Sequence, residues 1–91
     1  MASGPVYRVL LSTEARRALE KLPSNTRHRL AIRIDALALD PRPTGTRALQ
    51  GAQRLLRLRV GDYRLVYSVE DRDQVVRIVR VGHRRDIYRG L

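Results

Sequence analysis

The stretch RLLRLRVGDYRLVY, residues 54–67, decides the fold because it predicts a tight β-hairpin. Gly61-Asp62 separates two runs of β-branched and large apolar residues, and glycine in such a turn tolerates a positive φ. A two-residue turn places Val60 opposite Tyr63 and Arg59 opposite Arg64, and side chains then alternate between two faces. The predicted apolar face consists of Leu56, Leu58, Val60, Tyr63, Leu65 and Tyr67. The predicted basic face consists of Arg57, Arg59 and Arg64.

The arginine pair across this hairpin needs an explanation, because like charges directly opposite each other destabilise a sheet. An anion between Arg59 and Arg64 would remove the repulsion. Phosphate is the natural candidate, since a guanidinium group offers it two parallel donors. The alternative is a solvated face on which the arginines splay apart near Asp62 or Asp86. We favour phosphate because three arginines converge and the chain carries a net charge of +10.

The rest of the chain predicts a single α+β domain over residues 1–91. Apolar spacing and breaker residues predict a strand at 6–12, a helix from Ser12 or Thr13 to Leu22, a helix at about 25–39, a short edge strand in RALQG (47–51), and a strand at 74–81. The two helices are expected to form an antiparallel hairpin. The order β-αα-βββ predicts an antiparallel sheet with both helices on one face.

The second predicted hairpin turns at Asp71-Arg72, within the sequence EDRD (70–73). Counting from that turn, Val76 and Ile78 join the apolar face. The same count assigns Arg77, Val79, Val81 and, by parity, His83 to the basic face.

The composition favours a polyanionic or acidic partner. Nineteen residues are Lys or Arg against nine Asp or Glu, and such an imbalance costs self-repulsion. No segment approaches the roughly 20 apolar residues of a membrane span, and we expect no membrane binding. Cysteine is absent, which fits a reducing compartment, so we expect a cytoplasmic protein. No group of residues has metal-ligand spacing, so we expect neither a metal nor another cofactor.

Three blocks carry a resemblance to a known family: ALDPRPTGTRALQG (38–51), RLRVGDYRLVYSV (57–69) and VRVGHRRDIYR (79–89). They resemble the RelE-like toxins of bacterial type II toxin–antitoxin modules, in the RelE/ParE superfamily. The resemblance implies the RelE/ParE-like fold and a toxin that cuts mRNA in the A site of the 70S ribosome. It also implies a cognate RelB-like antitoxin, whose acidic segment covers the toxin and whose DNA-binding part takes the complex to operator DNA.

The resemblance also implies roles for individual residues. Arg64 matches the arginine that contacts the scissile phosphate, and Arg84 matches the arginine on its leaving side. Tyr88 matches a tyrosine that stacks on a base or aids proton transfer. Arg57 occupies a basic position of the family. Leu55 occupies a position where some members carry lysine, and Arg59 on the same face partly substitutes for it.

The implied chemistry is attack of a ribose 2′-OH on the adjacent phosphate, without a metal. Arg57, Arg64 and Arg84 would stabilise the transition state, whereas arginine is a poor base. Histidine is the side chain whose ordinary pKa lies closest to neutrality, so His83 is the proton-transfer candidate, with Tyr88 as the alternative acid. Further phosphate contacts are expected from Arg59, Arg77, Arg85 and Arg89.

Two other functions stay open. A ParE-like toxin shares this fold and inhibits DNA gyrase, but it would not need the set Arg64, His83, Arg84 and Tyr88. A catalytically decayed toxin would only bind its antitoxin, and the apolar Leu55 is consistent with that reading. His83 could also be a plain loop residue, and Tyr88 could pack its ring on the sheet.

Overall fold

A computed structural model describes residues 6–49, 51 and 54–87. The elements in these residues are β1 (Arg8–Leu11), α1 (Thr13–Glu20), α2 (Ser24–Ala36), β2 (Arg47–Ala48), β3 (Leu56–Val60), β4 (Tyr63–Glu70) and β5 (Val75–His83). No helix among them is long and apolar enough to cross a membrane.

Local hydrogen bonds account for the start of α1 and for the end of α2. Ser12 caps α1, because its Oγ accepts a hydrogen bond from the Ala15 amide at 3.0 Å. Helix α2 ends at Ala36, three residues earlier than predicted. The amides of residues 37–39 instead bond to carbonyls three residues back, and this tighter turn precedes Pro41.

The strands form one sheet in the order β1-β5-β4-β3-β2. β2 is an edge strand, as predicted, and β3, β4 and β5 form the predicted antiparallel meander. β1 pairs with β5 in parallel, so the sheet is mixed rather than wholly antiparallel. Residues of both helices pack against one face of this sheet, which confirms the predicted α+β architecture. The core consists of Ala15, Leu19, Leu30, Ile34, Leu37, Leu58, Val60, Leu65, Tyr67, Val76, Ile78 and Val81.

The first hairpin has the predicted register. Val60 pairs with Tyr63, Arg59 with Arg64, and Leu58 with Leu65. Gly61 has a φ of +61°, and the first position of a two-residue hairpin turn favours glycine for this reason. The predicted division into an apolar and a basic face is therefore confirmed for β3 and β4.

The second hairpin differs from the prediction in two ways. Its turn has four residues, so Glu70 pairs with Val75. This two-residue shift keeps the parity, and Val76 and Ile78 lie in the core as predicted. The register then shifts again, because Val66 pairs with Arg80 whereas Tyr67 pairs with Ile78.

The extra residue at this second shift is Val79, which forms a β-bulge and reverses the two faces for the rest of β5. Val81 pairs with Leu65 and is 4% exposed in the core, and His83 pairs with Tyr63. The predictions that Val81 and His83 share the face of the arginines are therefore wrong, whereas Val79 has no register partner in β4 and its predicted face stays a prediction. Arg77 precedes the bulge, pairs with Ser68 and does lie on that face.

Gln74 is expected to be a site where glycine stabilises the fold. Its φ is +56°, and a left-handed conformation costs a residue with a Cβ about 1–2 kcal/mol. The greater freedom of glycine in the unfolded chain offsets part of this gain, so Gln74→Gly should add about 0.5–1 kcal/mol to the free energy of unfolding in urea. Asp73→Gly, at a neighbour without a positive φ, should lower it.

Candidate phosphate-binding site

Four arginines converge on the sheet face away from the helices, and we call this set the arginine face: Arg47, Arg57, Arg59 and Arg64. Strand pairing brings them together, because Arg47 lies opposite Arg57 and Arg59 lies opposite Arg64. With Gly45 they line a cavity of about 160 Å³. A water molecule takes about 30 Å³ in the liquid, so the space holds several waters or one phosphate group.

The charge of the arginine face is not balanced within the described part of the chain. No described carboxylate lines the cavity or forms an ion pair with these four side chains. Four guanidinium groups around one small space repel each other, and an anion bound among them would relieve the repulsion. The geometry therefore supports the phosphate interpretation over a face of scattered, solvated arginines.

Arg47 is a member of this set that the sequence reasoning missed. It was predicted only as part of an edge strand. The signal was available in principle, since the edge strand RALQG pairs with RLLRLRV and one of its residues had to lie opposite Arg57. Without the β2–β3 register, the face on which Arg47 lies could not be assigned.

Buried Tyr67 holds the loop that leads to Arg47. Its hydroxyl donates a 2.8 Å hydrogen bond to the Pro41 carbonyl and lies 3.2 Å from Thr46 Oγ1. Burial raises the pKa of Tyr67, since the ionised phenol would lose its hydration. The core thereby anchors residues 41–46 beside the arginine face.

The Arg64 guanidinium is held at the β3–β4 turn. Its Nη1 donates to the Tyr63 carbonyl at 3.0 Å and to the Gly61 carbonyl at 3.2 Å. These bonds hold the charge at the end of the hairpin before any ligand arrives.

The C-terminal segment brings Arg84 to the same turn. The Arg84 amide donates to the Asp62 carbonyl at 2.8 Å. Three residues later Ile87 is 1% exposed, and its Cδ1 would lie 3.2 Å from a Cβ added to Gly82. Gly82 pairs with Arg64 in the sheet. Because Gly82 has no side chain, Ile87 can pack against the sheet on the side of the arginine face.

Two further contacts fix this segment. Arg80 Nη1 donates to the Ile87 carbonyl at 3.0 Å, and Arg80 Nε lies 3.0 Å from a carboxylate oxygen of Glu14 in α1. The start of α1 is thus linked through Arg80 to the segment that positions Arg84.

His83 lies near Arg84 but faces the other way. Its ring meets the Tyr63 ring edge-on, with centroids 5.6 Å apart. Its Nδ1 accepts a hydrogen bond from the Arg85 amide at 3.2 Å, which places the proton of the neutral ring on Nε2. To accept a proton, the neutral ring would therefore have to release the Arg85 amide and free Nδ1. Tyr88 and Arg89 lie outside the described residues.

Arg77 and Arg85 differ from the converging set. Arg77 Nε lies 2.7 Å from a carboxylate oxygen of Glu70, so its charge is compensated. Arg85 is exposed in the turn after β5 and does not line the cavity of the arginine face.

No group of three or more His, Cys, Asp or Glu residues in the described chain could hold a metal ion.

A clamp at the other end of the sheet joins three parts of the chain. Asp71 accepts bonds from both terminal nitrogens of Arg42, at 2.9 and 3.0 Å, and from the Tyr7 hydroxyl at 2.7 Å. The hydrogen bonds from Arg42, followed by that from Tyr7, hold the pKa of Asp71 below its ordinary value.

The Asp71 clamp is expected to weaken in acid. A carboxyl group whose pKa is lower in the folded than in the unfolded state stabilises the fold above its unfolded pKa of about 3.9. That stability is lost as the pH falls through the folded pKa. The wild type should therefore lose more stability than Asp71→Asn when urea unfolding is compared at pH 6 and pH 3. Equal losses in both proteins would contradict this assignment.

Comparisons with known proteins agree on one family. The family model "ParE toxin of type II toxin-antitoxin system, parDE" matches residues 9–88. The toxin RelG of Mycobacterium tuberculosis is 37% identical over 87 residues, which cover 91% of this chain and 97% of RelG. An archaeal RelE–RelB complex from Pyrococcus horikoshii has a TM-score of 0.78 at 32% identity, covering 89% of this chain and 98% of that chain. A RelBE2 toxin–antitoxin complex from Mycobacterium tuberculosis has a TM-score of 0.75 at 31% identity, covering 86% of this chain and 98% of that chain.

Proposed function

Because this chain belongs to the RelE/ParE-like toxins of type II toxin–antitoxin systems, we propose that it is a ribosome-dependent mRNA endoribonuclease. It would enter the A site of the 70S ribosome in the cytoplasm, cut the mRNA there and stop translation. The observation that carries this proposal is the arginine face, whose four converging cations have no carboxylate partner among the described residues.

The proposed reaction is an internal displacement at phosphorus. The ribose 2′-oxygen forms a bond to the adjacent phosphate and loses its proton, while the bond to the 5′-oxygen breaks and that oxygen gains a proton. The products are a 2′,3′-cyclic phosphate and a 5′-OH, and no water or metal is consumed. Preorganised cations suit this step because negative charge builds up on the phosphate oxygens in the transition state.

Individual residues take these proposed roles. Arg64 contacts the scissile phosphate, Arg84 supports its leaving side, and Arg57 adds positive charge from the neighbouring strand. His83 and Tyr88 serve proton transfer, His83 after its ring leaves the Arg85 amide. Weaker contacts to the RNA backbone are assigned to Arg59, Arg77, Arg85 and Arg89.

The proposed protein partner of this toxin is a RelB-like antitoxin, which would inhibit it. Two of the structural relatives are toxin–antitoxin complexes, and the unbalanced arginine face suits an acidic, partly disordered segment that folds on binding. The DNA-binding part of the antitoxin would take the complex to operator DNA.

Gyrase inhibition is the second candidate, because the matching family model describes ParE toxins. A catalytically decayed toxin is the third, because Leu55 is apolar where some RelE-like members carry lysine. These candidates predict different results in one experiment.

Primer extension on a defined mRNA, with purified protein and with or without programmed 70S ribosomes, separates the three. Cuts in the A-site codon that need ribosomes, and that fade in Arg84→Ala and Tyr88→Phe, would support the proposal. Intact mRNA together with growth arrest on expression would contradict it and favour gyrase inhibition. Intact mRNA without growth arrest would favour a decayed toxin.

A further inference from the structure

Gly61 in the β3–β4 turn is close to two guanidinium groups, one from Arg64 in the same hairpin and one from Arg29 in α2. On one side Arg64 Nη1 donates to its carbonyl at 3.2 Å. On the other side Nη2 of Arg29, in α2, lies 3.1 Å from where a Cβ on Gly61 would be. Arg29 approaches this closely because residue 61 has no side chain.

The backbone of Arg84 also lies at this turn, since its amide donates a hydrogen bond to the Asp62 carbonyl. Arg29, Arg64 and Arg84 form no ion pair with any carboxylate in the described part of the chain. The carboxylate of Asp62 lines the same cavity as Arg29 but is not within ion-pair distance of it. The Arg29 and Arg64 side chains against the one carboxylate of Asp62 leave an excess of positive charge at the turn, which a polyanion would neutralise.

The opposite end of the sheet is closer to electrical balance. Glu70 there compensates Arg77, and Asp71 compensates Arg42. Glu70, Asp71 and Asp73 line the depression at this end together with Arg42, Arg54 and Arg72. The residues that line the depression at this end therefore have no net charge, whereas the β3–β4 turn keeps an excess of positive charge that attracts an RNA strand lying on the arginine face.

We propose that Arg29 binds a phosphodiester of the RNA and leads the strand from the arginine face over the β3–β4 turn to the α2 side. This inference rests on the proposed function, which supplies the RNA on the arginine face. Beyond the turn, Arg29 lines a cavity of about 180 Å³ together with Thr26, Asp62 and Tyr63. The Arg29 side chain and the Thr26 hydroxyl supply hydrogen-bond donors there for a phosphate oxygen.

Binding of programmed 70S ribosomes to Arg29→Gln tests the proposal directly. A lost phosphate contact should weaken binding about tenfold at low salt and reduce the slope of log affinity against log salt by about 1. Arg29→Lys keeps the charge and should keep the slope, which separates lost charge from a distorted turn. Arg27→Gln is the matched control. It removes the same charge from the same helix, but Arg27 lines a different depression.

A second measurement identifies the phosphate. Messenger oligonucleotides with one methylphosphonate near the A-site codon remove one backbone charge at a time. One position should weaken binding to the wild type about tenfold and leave Arg29→Gln unaffected, whereas Arg27→Gln should respond like the wild type.

The two proposals can fail separately, because these readouts measure binding rather than cleavage. The role of Arg29 would be overturned if Arg29→Gln bound with the same affinity and salt slope as Arg27→Gln. It would also be overturned if Arg29→Gln responded to every methylphosphonate as the wild type does. Failure of the wild type to bind programmed ribosomes would overturn both proposals. The wild type could also bind programmed ribosomes without cleaving the mRNA. If Arg29→Gln then weakened binding more than Arg27→Gln, the proposed RNA path would be supported and only the nuclease proposal would be contradicted.

Discussion

Arg64→Ala is expected to lower ribosome-dependent cleavage by about 10²–10³-fold, the cost of removing one preorganised donor from a transition-state site. Arg64 Nη1 is held in place by the Gly61 and Tyr63 carbonyls, so the charge is oriented before the RNA binds. Because the interaction strengthens as charge builds up on the phosphate, the loss should fall mainly on kcat. Single-turnover cleavage on programmed ribosomes measures it.

Arg77→Ala is the matched control for this prediction. Arg77 lies on the same face of the sheet, and the change removes the same charge, but Glu70 compensates it at 2.7 Å. Because Glu70 already compensates this charge, the change removes only the weak backbone contact proposed for Arg77, so cleavage should change by less than about fivefold. Equal losses in Arg64→Ala and Arg77→Ala would mean that only the overall charge matters, and would contradict a phosphate site at the turn.

The sequence was sufficient to predict the first hairpin because every feature of its register is local. Gly61 at a two-residue turn and strict alternation on both sides leave one pairing that buries Leu58 and Leu65 together. The basic face follows from the same alternation. This is why the central part of the candidate site could be predicted before the structure was known.

The bulge in β5 could not be predicted because residues far along the chain stabilise it. The run VVRIVRV contains neither glycine nor proline to mark an interruption. Ser12 Oγ donates to the Val79 carbonyl at 2.7 Å, and the Ser12 amide donates to the Ile78 carbonyl at 2.9 Å. β1 and the start of α1 therefore fix the point at which β5 changes register, and His83 changes face as a consequence.

Arg29 shows a second limit of sequence reasoning. In an amphipathic helix, arginines off the apolar stripe are ordinarily solvated, and nothing near Arg29 in sequence distinguishes it from Arg27 or Arg33. Its distinction comes from Gly61, 32 positions away, whose missing Cβ admits the guanidinium group. Only the packing of α2 against the β3–β4 turn reveals this contact.

Ile87→Ala is expected to reduce the free energy of unfolding by about 2–5 kcal/mol, the cost of truncating a buried isoleucine. Ile87 is 1% exposed, although it lies in an irregular segment. Its amide bonds to the His83 carbonyl at 3.0 Å, and its carbonyl accepts from Arg80, so the backbone is held and cannot readily collapse into the space left. Urea unfolding of the purified variant measures the loss.

Two further substitutions test whether the expected loss comes from the buried position of Ile87 rather than from the change of residue type. Ile32→Ala makes the same chemical change at a site that is 54% exposed and should cost less than about 1 kcal/mol. Ile87→Val keeps most of the buried volume and should cost about 0.5–1.5 kcal/mol. If Ile87→Ala were as mild as Ile32→Ala, residues 84–87 would not be packed on Gly82. The position of Arg84 beside the β3–β4 turn would then lose its structural support. A large loss at Ile87 with a small loss at Ile32 would mean that Ile87 is packed against Gly82 and that this packing holds residues 84–87 on the sheet.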